Sequence, residues 1–156
     1  MSKTLQANQN HEHHSAGLNL LLVEDDEIDR MAVRRAFRRK HLPVNIVEAT
    51  DGQQALDILN GRGDRPLPPE PYIILLDINM PRMDGIELLQ KLRGANDNPR
   101  LRSSIVFMLT TSEAEKDLER AYAHNIAGYL VKSAEKGGLD AIADMLWSYR
   151  QVVAFP

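Results

Sequence analysis

Five polar residues able to do chemistry stand at or just past the ends of short apolar runs. Glu24 and Asp25 follow Leu20-Leu21-Leu22-Val23, Asp77 closes Tyr72-Ile73-Ile74-Leu75-Leu76, Thr110 follows Ile105 to Leu109, and Lys132 follows Tyr129-Leu130-Val131. Three carboxylates brought together repel one another and are driven toward protonation unless a cation neutralises them. A hard divalent ion such as Mg2+, or Mn2+ in its place, matches such an oxygen set. A carboxylate can also attack a phosphoryl group, provided positive charge and hydrogen-bond donors meet the phosphoryl oxygens in the transition state. The ion, the Lys132 ammonium and the Thr110 hydroxyl would supply those contacts. Asn79, two residues after Asp77, and Ser112, two after Thr110, are small polar candidates for orienting a water in later hydrolysis.

The elements that must bring these residues together can be read from periodicity. Continuous apolar runs at 18–23, 44–49, 72–77, 104–109 and 127–131 predict five strands buried on both faces. Helical patterns lie between them near 27–40, 52–60, 84–94 and 112–124. A last one, at about 135–152, has Leu139, Ile142, Leu146 and Tyr149 on one face. Strand and helix in regular alternation predict an α/β fold: a parallel sheet covered by helices on both sides, joined by right-handed crossovers. In such sheets ligands sit outside the carboxyl ends of the strands, which is where all five residues fall.

Composition narrows the remaining classes. The chain has 156 residues, 43% of them apolar, and a formal charge of −3, so one globular domain without an overall basic footprint is expected and nucleic acid is not an expected partner. The absence of cysteine excludes disulfides and thiolate sites. No apolar stretch approaches a membrane span and residues 1–17 lack the apolar centre of a signal peptide, which makes the cytoplasm the expected location. Residues 1–17, including "HEHH" at 11–14, read as a flexible lead.

The stretches "LLVEDDE", "ILLDINMPRMDG", "VFMLTTSEAEKD" and "GYLVKS" resemble the receiver domain of two-component response regulators, and the likeness covers about residues 18–150. The resemblance implies a flavodoxin-like, doubly wound five-stranded sheet of order 2-1-3-4-5, with 151–156 as a C-terminal tail or arm. It makes Asp77 the phosphoacceptor and places Mg2+ on Glu24, Asp25, Asp77 and the backbone carbonyl of Asn79. Thr110 and Lys132 then contact the phosphoryl group, with Thr110 and Tyr129 as switch residues. It implies a phosphoryl group received from a sensor histidine kinase, a regulatory role rather than that of an enzyme acting on other substrates, and signalling through the face of the fourth predicted helix, fifth strand and fifth predicted helix. Asp84-Gly85 matches the family's turn into the third helix, where glycine allows backbone geometry that other residues resist. Ser133 follows Lys132 where the family usually has a proline in a cis peptide, which would cost about 3 kcal/mol without proline. This Lys-Ser pair, "GRGDRPLPPEP" at 61–71, "NDNPRLRSS" at 96–104 and the ending "WSYRQVVAFP" are similar to single-domain regulators associated with bacterial phytochromes. That narrower likeness implies a light-regulated kinase as donor and a homodimer formed through the fourth and fifth helices or the C-terminal arm. Val152, Val153 and Phe155 fit such an arm.

Other readings of the same residues are weaker. Acids after a strand also cap the next helix, which accounts for Asp26 and Glu27, leaving Asp29 for the solvated side of that helix. Capping explains neither Asp77 nor Lys132. A phosphohydrolase with an aspartyl nucleophile would want a second aspartate two residues on, where Asn79 stands. A receiver-like binding module acting without phosphorylation remains as the alternative. The basic run Arg34, Arg35, Arg38, Arg39 and Lys40 complements the helix dipole, with docking of the phosphodonor as a second role.

Overall fold

A computed structural model describes residues 17–111 and 113–156; the N-terminal lead up to residue 16, and Ser112 with its expected role, lie outside the described residues. Five parallel strands, β1 (Leu18–Val23), β2 (Val44–Ala49), β3 (Tyr72–Leu76), β4 (Val106–Thr110) and β5 (Gly128–Val131), form one sheet in the order β2-β1-β3-β4-β5. This is the order implied by the resemblance.

Alternate residues of each strand serve opposite faces of the sheet. Leu21, Val23, Ile74, Leu76, Val106 and Met108 pack with α2 (Gly52–Leu59), α3 (Gly85–Arg93) and Ala121 of α5 (Glu115–Tyr122). Leu18, Leu20, Leu22, Ile73, Leu75, Phe107 and Leu109 pack with Val33, Ala36 and Phe37 of α1 (Glu27–Arg39) and with Ala143 and Leu146 of α6 (Gly138–Val152). Each fully buried large side chain contributes about 1.5–3 kcal/mol, so two filled faces hold the central strand ends in place. The edge strands β2 and β5 are only partly buried, because each has one sheet neighbour.

Local signals set the helix starts. The Asp26 carboxylate accepts from the Asp29 amide at 3.0 Å to cap α1, and Asp84 and Glu87 form a reciprocal capping box at α3, with bonds of 2.8 and 3.0 Å. Two elements differ from the sequence reading. A single helical turn, α4 (Pro99–Arg102), lies inside "NDNPRLRSS", capped by Asn98 and anchored by buried Leu101; four residues are too short for a period to be visible. The expected helix from 135 is divided into a 3-10 turn at Ala134–Lys136 and α6, because Gly137 and Gly138 at the junction take positive φ (86° and 61°), which interrupts the right-handed turns on either side.

Beyond α6 the chain turns back. Phe155 meets the Tyr149 ring edge-on at 6.4 Å, Tyr149 meets Phe107 at 5.0 Å, and the Arg150 guanidinium lies over Phe155. No helix among the described residues is long and apolar enough to cross a membrane.

Candidate phosphoacceptor site

The sheet pairing carries its order one residue past the strands. The Glu24 amide donates to the Ala49 carbonyl and the Asp77 amide to the Val23 carbonyl, each at 3.0 Å, and the Lys132 amide donates to the Thr110 carbonyl at 2.8 Å. All five expected residues therefore stand along one carboxyl edge. Glu24 and Asp77 are buried, at 2% and 8% exposure, Thr110 is wholly buried, and Asp25 faces solvent. Glu24, Asp25 and Asp77 each offer one carboxylate oxygen, and these oxygens lie within 4.8 Å of one another.

Electrostatics follow from that crowding. Burial, followed by the neighbouring Asp77 charge, pushes the Glu24 carboxyl up to about 7. Burial does the same for Asp77, to about 6, against the opposing pull of Lys132. Burial is the largest single influence on Lys132 and acts to lower it, yet Glu24, Asp77 and Asp29 together hold its ammonium above the usual lysine value. Two carboxyls held above their ordinary range beside a third constitute a donor set that a divalent cation would relieve, so these residues fit Mg2+ or Mn2+.

Arg30, unremarked in the sequence, positions the acidic edge. Its Nη1 donates to the carbonyls of both Glu24 and Asp25 at 2.9 Å, while its Nε stands 3.3 Å from Glu48 Oε2 in an ion pair that is off the line of a hydrogen bond. Arg34 holds the same glutamate, and Arg39 and Lys40 pair with Asp140 and Asp144 of α6. Much of the basic run of α1 thus ties that helix to β2 and α6.

Two expectations change, and one peptide geometry that the sequence leaves open is decided. Asp29 is expected on the solvated side of α1, but its Oδ2 lies 3.2 Å from Lys132 Nζ, because the long Lys132 side chain reaches from beyond the end of β5 to Glu24 and the first turn of α1. Gly85 does not need an unusual φ; a Cβ there would stand 2.2 Å from the Asp77 carbonyl oxygen, so the absent side chain lets α3 start against the Asp77 backbone. Lys132-Ser133 is not a cis peptide: the cis bond among the described residues is Glu70-Pro71. The chain leaves β5 instead through a tight turn in which the Ser133 amide donates to the Val131 carbonyl at 2.8 Å. Asn79 lies exposed on the loop between β3 and α3, and Tyr129, on β5 opposite Met108, is half-buried against the face that carries α2, α3 and α5.

Residues 20–144 match the response regulator receiver domain. The chain belongs to that family. The receiver is 39% identical over 115 residues to the probable methanogenesis regulatory protein FilR2 of Methanothrix harundinacea, covering 72% of this chain and 70% of that one. It is 34% identical over 114 residues to the response regulator Rcp1 of Synechocystis, covering 73% and 76%. The Mn2+-bound structure of Rcp1 superposes with a TM-score of 0.66 at 29% identity, over 89% of this chain and 99% of that one. RPA3017, a response regulator in red light signaling of R. palustris, superposes with a TM-score of 0.73 at 31% identity, over 89% and 98%. The bacteriophytochrome response regulators AtBRR and RtBRR also stand among the structures similar to this receiver, as the sequence suggested.

Proposed function

We propose that this receiver accepts a phosphoryl group on Asp77 from a histidine of a sensor kinase, in a reaction that requires Mg2+, and signals through a changed protein-binding face. The observation that carries the reading is the buried Asp77 carboxylate at the end of β3, with Glu24 and Asp25 oxygens within 4.8 Å and Lys132 close enough to pull its pKa down. Glu24, Asp25, Asp77 and the Asn79 carbonyl would hold the ion. When bound, Mg2+ supplies charge to the phosphoryl oxygens and relieves the repulsion among the acids.

An oxygen of Asp77 attacks phosphorus as the bond from phosphorus to the donor imidazole nitrogen breaks; the electron pair stays on that nitrogen, which takes up a proton. Lys132 and Thr110 meet the phosphoryl oxygens from the ends of β5 and β4. Movement of Thr110 toward that group opens space that Tyr129 enters, altering the face of α5, β5 and α6. Asn79 and Ser112 orient the water that later hydrolyses the acyl phosphate. A phytochrome-type kinase as donor is favoured by the relatives described above, and a cytoplasmic location follows from that donor. A homodimer through α5, β5 and α6 or through the C-terminal segment is part of the same reading, with Val152 exposed at the end of α6.

Incubation with acetyl phosphate and Mg2+ should add one phosphoryl mass to the wild type and none to Asp77→Asn. No gain in the wild type would leave a binding module that acts without phosphorylation. A gain that persists in Asp77→Asn would move the acceptor elsewhere.

A further inference from the structure

Lys132 is held from two directions. Its Nζ lies 3.1 Å from Glu24 Oε2 and 3.2 Å from Asp29 Oδ2, so two of its three N–H donors face carboxylates. Glu24 is buried at the end of β1, while the Asp29 side chain, 45% exposed, reaches across from the first turn of α1. Asp29 is itself fixed in place, because its amide is bonded to the capping Asp26 carboxylate and the next residue, Arg30, grips the Glu24 and Asp25 carbonyls.

Resting on the phosphoacceptor reading above, we propose that Asp29 is a positioning residue that holds Lys132 in reserve and thereby sets how readily its ammonium is released to a phosphoryl group on Asp77. Glu24 belongs to the set of acids that converges on the cation site and Asp29 does not. A divalent ion therefore draws on the Glu24 charge and loosens its hold on Lys132, but leaves the Asp29 contact as the competitor for the ammonium. The phosphoryl state gains only the difference between what Lys132 gives it and what Lys132 gives up at Asp29. The Asp29 charge is also one of those that push the Asp77 carboxyl up, which places it within the field of the acceptor.

The test is the affinity for beryllofluoride, a phosphoryl mimic, measured by calorimetry in saturating Mg2+ at low salt. Asp29→Asn should bind about two- to fivefold more tightly than wild type, the range for one partly exposed ion pair. Asp29→Glu, which keeps the carboxylate, should stay within about twofold of wild type. Asp26→Asn is the control: asparagine caps a helix as well as aspartate does, and the change removes an equal charge from the same turn without touching Lys132. Unchanged or weaker binding by Asp29→Asn overturns the proposal, as does equal tightening in Asp26→Asn, which would reduce the effect to a general field. Binding by the wild type with no change in Asp29→Asn overturns the tether alone. A wild type that does not bind overturns the phosphoacceptor reading together with it.

Discussion

Asp77 and Glu24 show how one side chain type takes on different work when its surroundings change. Each is an ordinary acid in sequence, and each is held by burial well above its usual pKa, at about 6 and about 7. A carboxyl whose folded pKa is raised adds stability at pH below its unfolded value, and that stability disappears as pH climbs through the folded pKa. For Asp77 the window runs from about 3.8 to about 6. Metal-free Asp77→Asn should therefore unfold at a higher temperature than wild type at pH 8, and the gap should close as pH falls below about 6; thermal scans of both proteins across that range would check it. Protons and Mg2+ compete for the same oxygens, so Mg2+ affinity should weaken as pH falls through about 7 and then about 6, by about tenfold per pH unit for each proton displaced. Titration of Mg2+ at a series of pH values reads this directly, and a flat profile would contradict it.

Helix starts decide the geometry of the acidic edge. Arg30 is one turn into α1, yet its guanidinium bonds two carbonyls of the segment that carries Glu24 and Asp25. Removing it in Arg30→Ala leaves two carbonyls without their charged donor. The expected result is a loss of about 1–3 kcal/mol in urea unfolding and weaker Mg2+ binding, with Arg30→Lys recovering only part because an ammonium lacks the planar fork. The start of α3 is equally constrained. A methyl at Gly85 would meet a backbone oxygen, which cannot rotate aside, so Gly85→Ala should cost about 2 kcal/mol and reduce phosphorylation by displacing Asp77. Wild-type stability in Gly85→Ala would show that α3 can shift freely.

Across the whole molecule, the C-terminal segment closes the face opposite α2 and α3. Phe155, Tyr149 and Phe107 form a chain of edge-on rings, and Arg150 covers the last of them. Deleting residues 153–156 should lower stability by about 1–2 kcal/mol through loss of these ring contacts. Light scattering of wild type and the same variant tests the proposed dimer: a monomeric wild type would overturn it, and a variant as dimeric as the wild type would remove the C-terminal segment as the means of association and leave α5, β5 and α6.

Sequence periodicity determined most of this protein, because a buried parallel strand must be apolar on both sides and a covering helix on one, and both patterns are local. The five polar residues at the strand ends were legible for the same reason: the topology of an α/β sheet carries every such end to one edge. What only the tertiary structure decided were contacts between residues whose local role was already satisfied. Asp29 reads locally as a solvated helix residue until the Lys132 side chain reaches back to it, Arg30 carries no local sign of the two carbonyls it bonds, and Gly85 reads as a turn glycine until α3 meets the Asp77 backbone. Periodicity records which face a residue presents; how closely two elements approach is settled only when the whole core has packed.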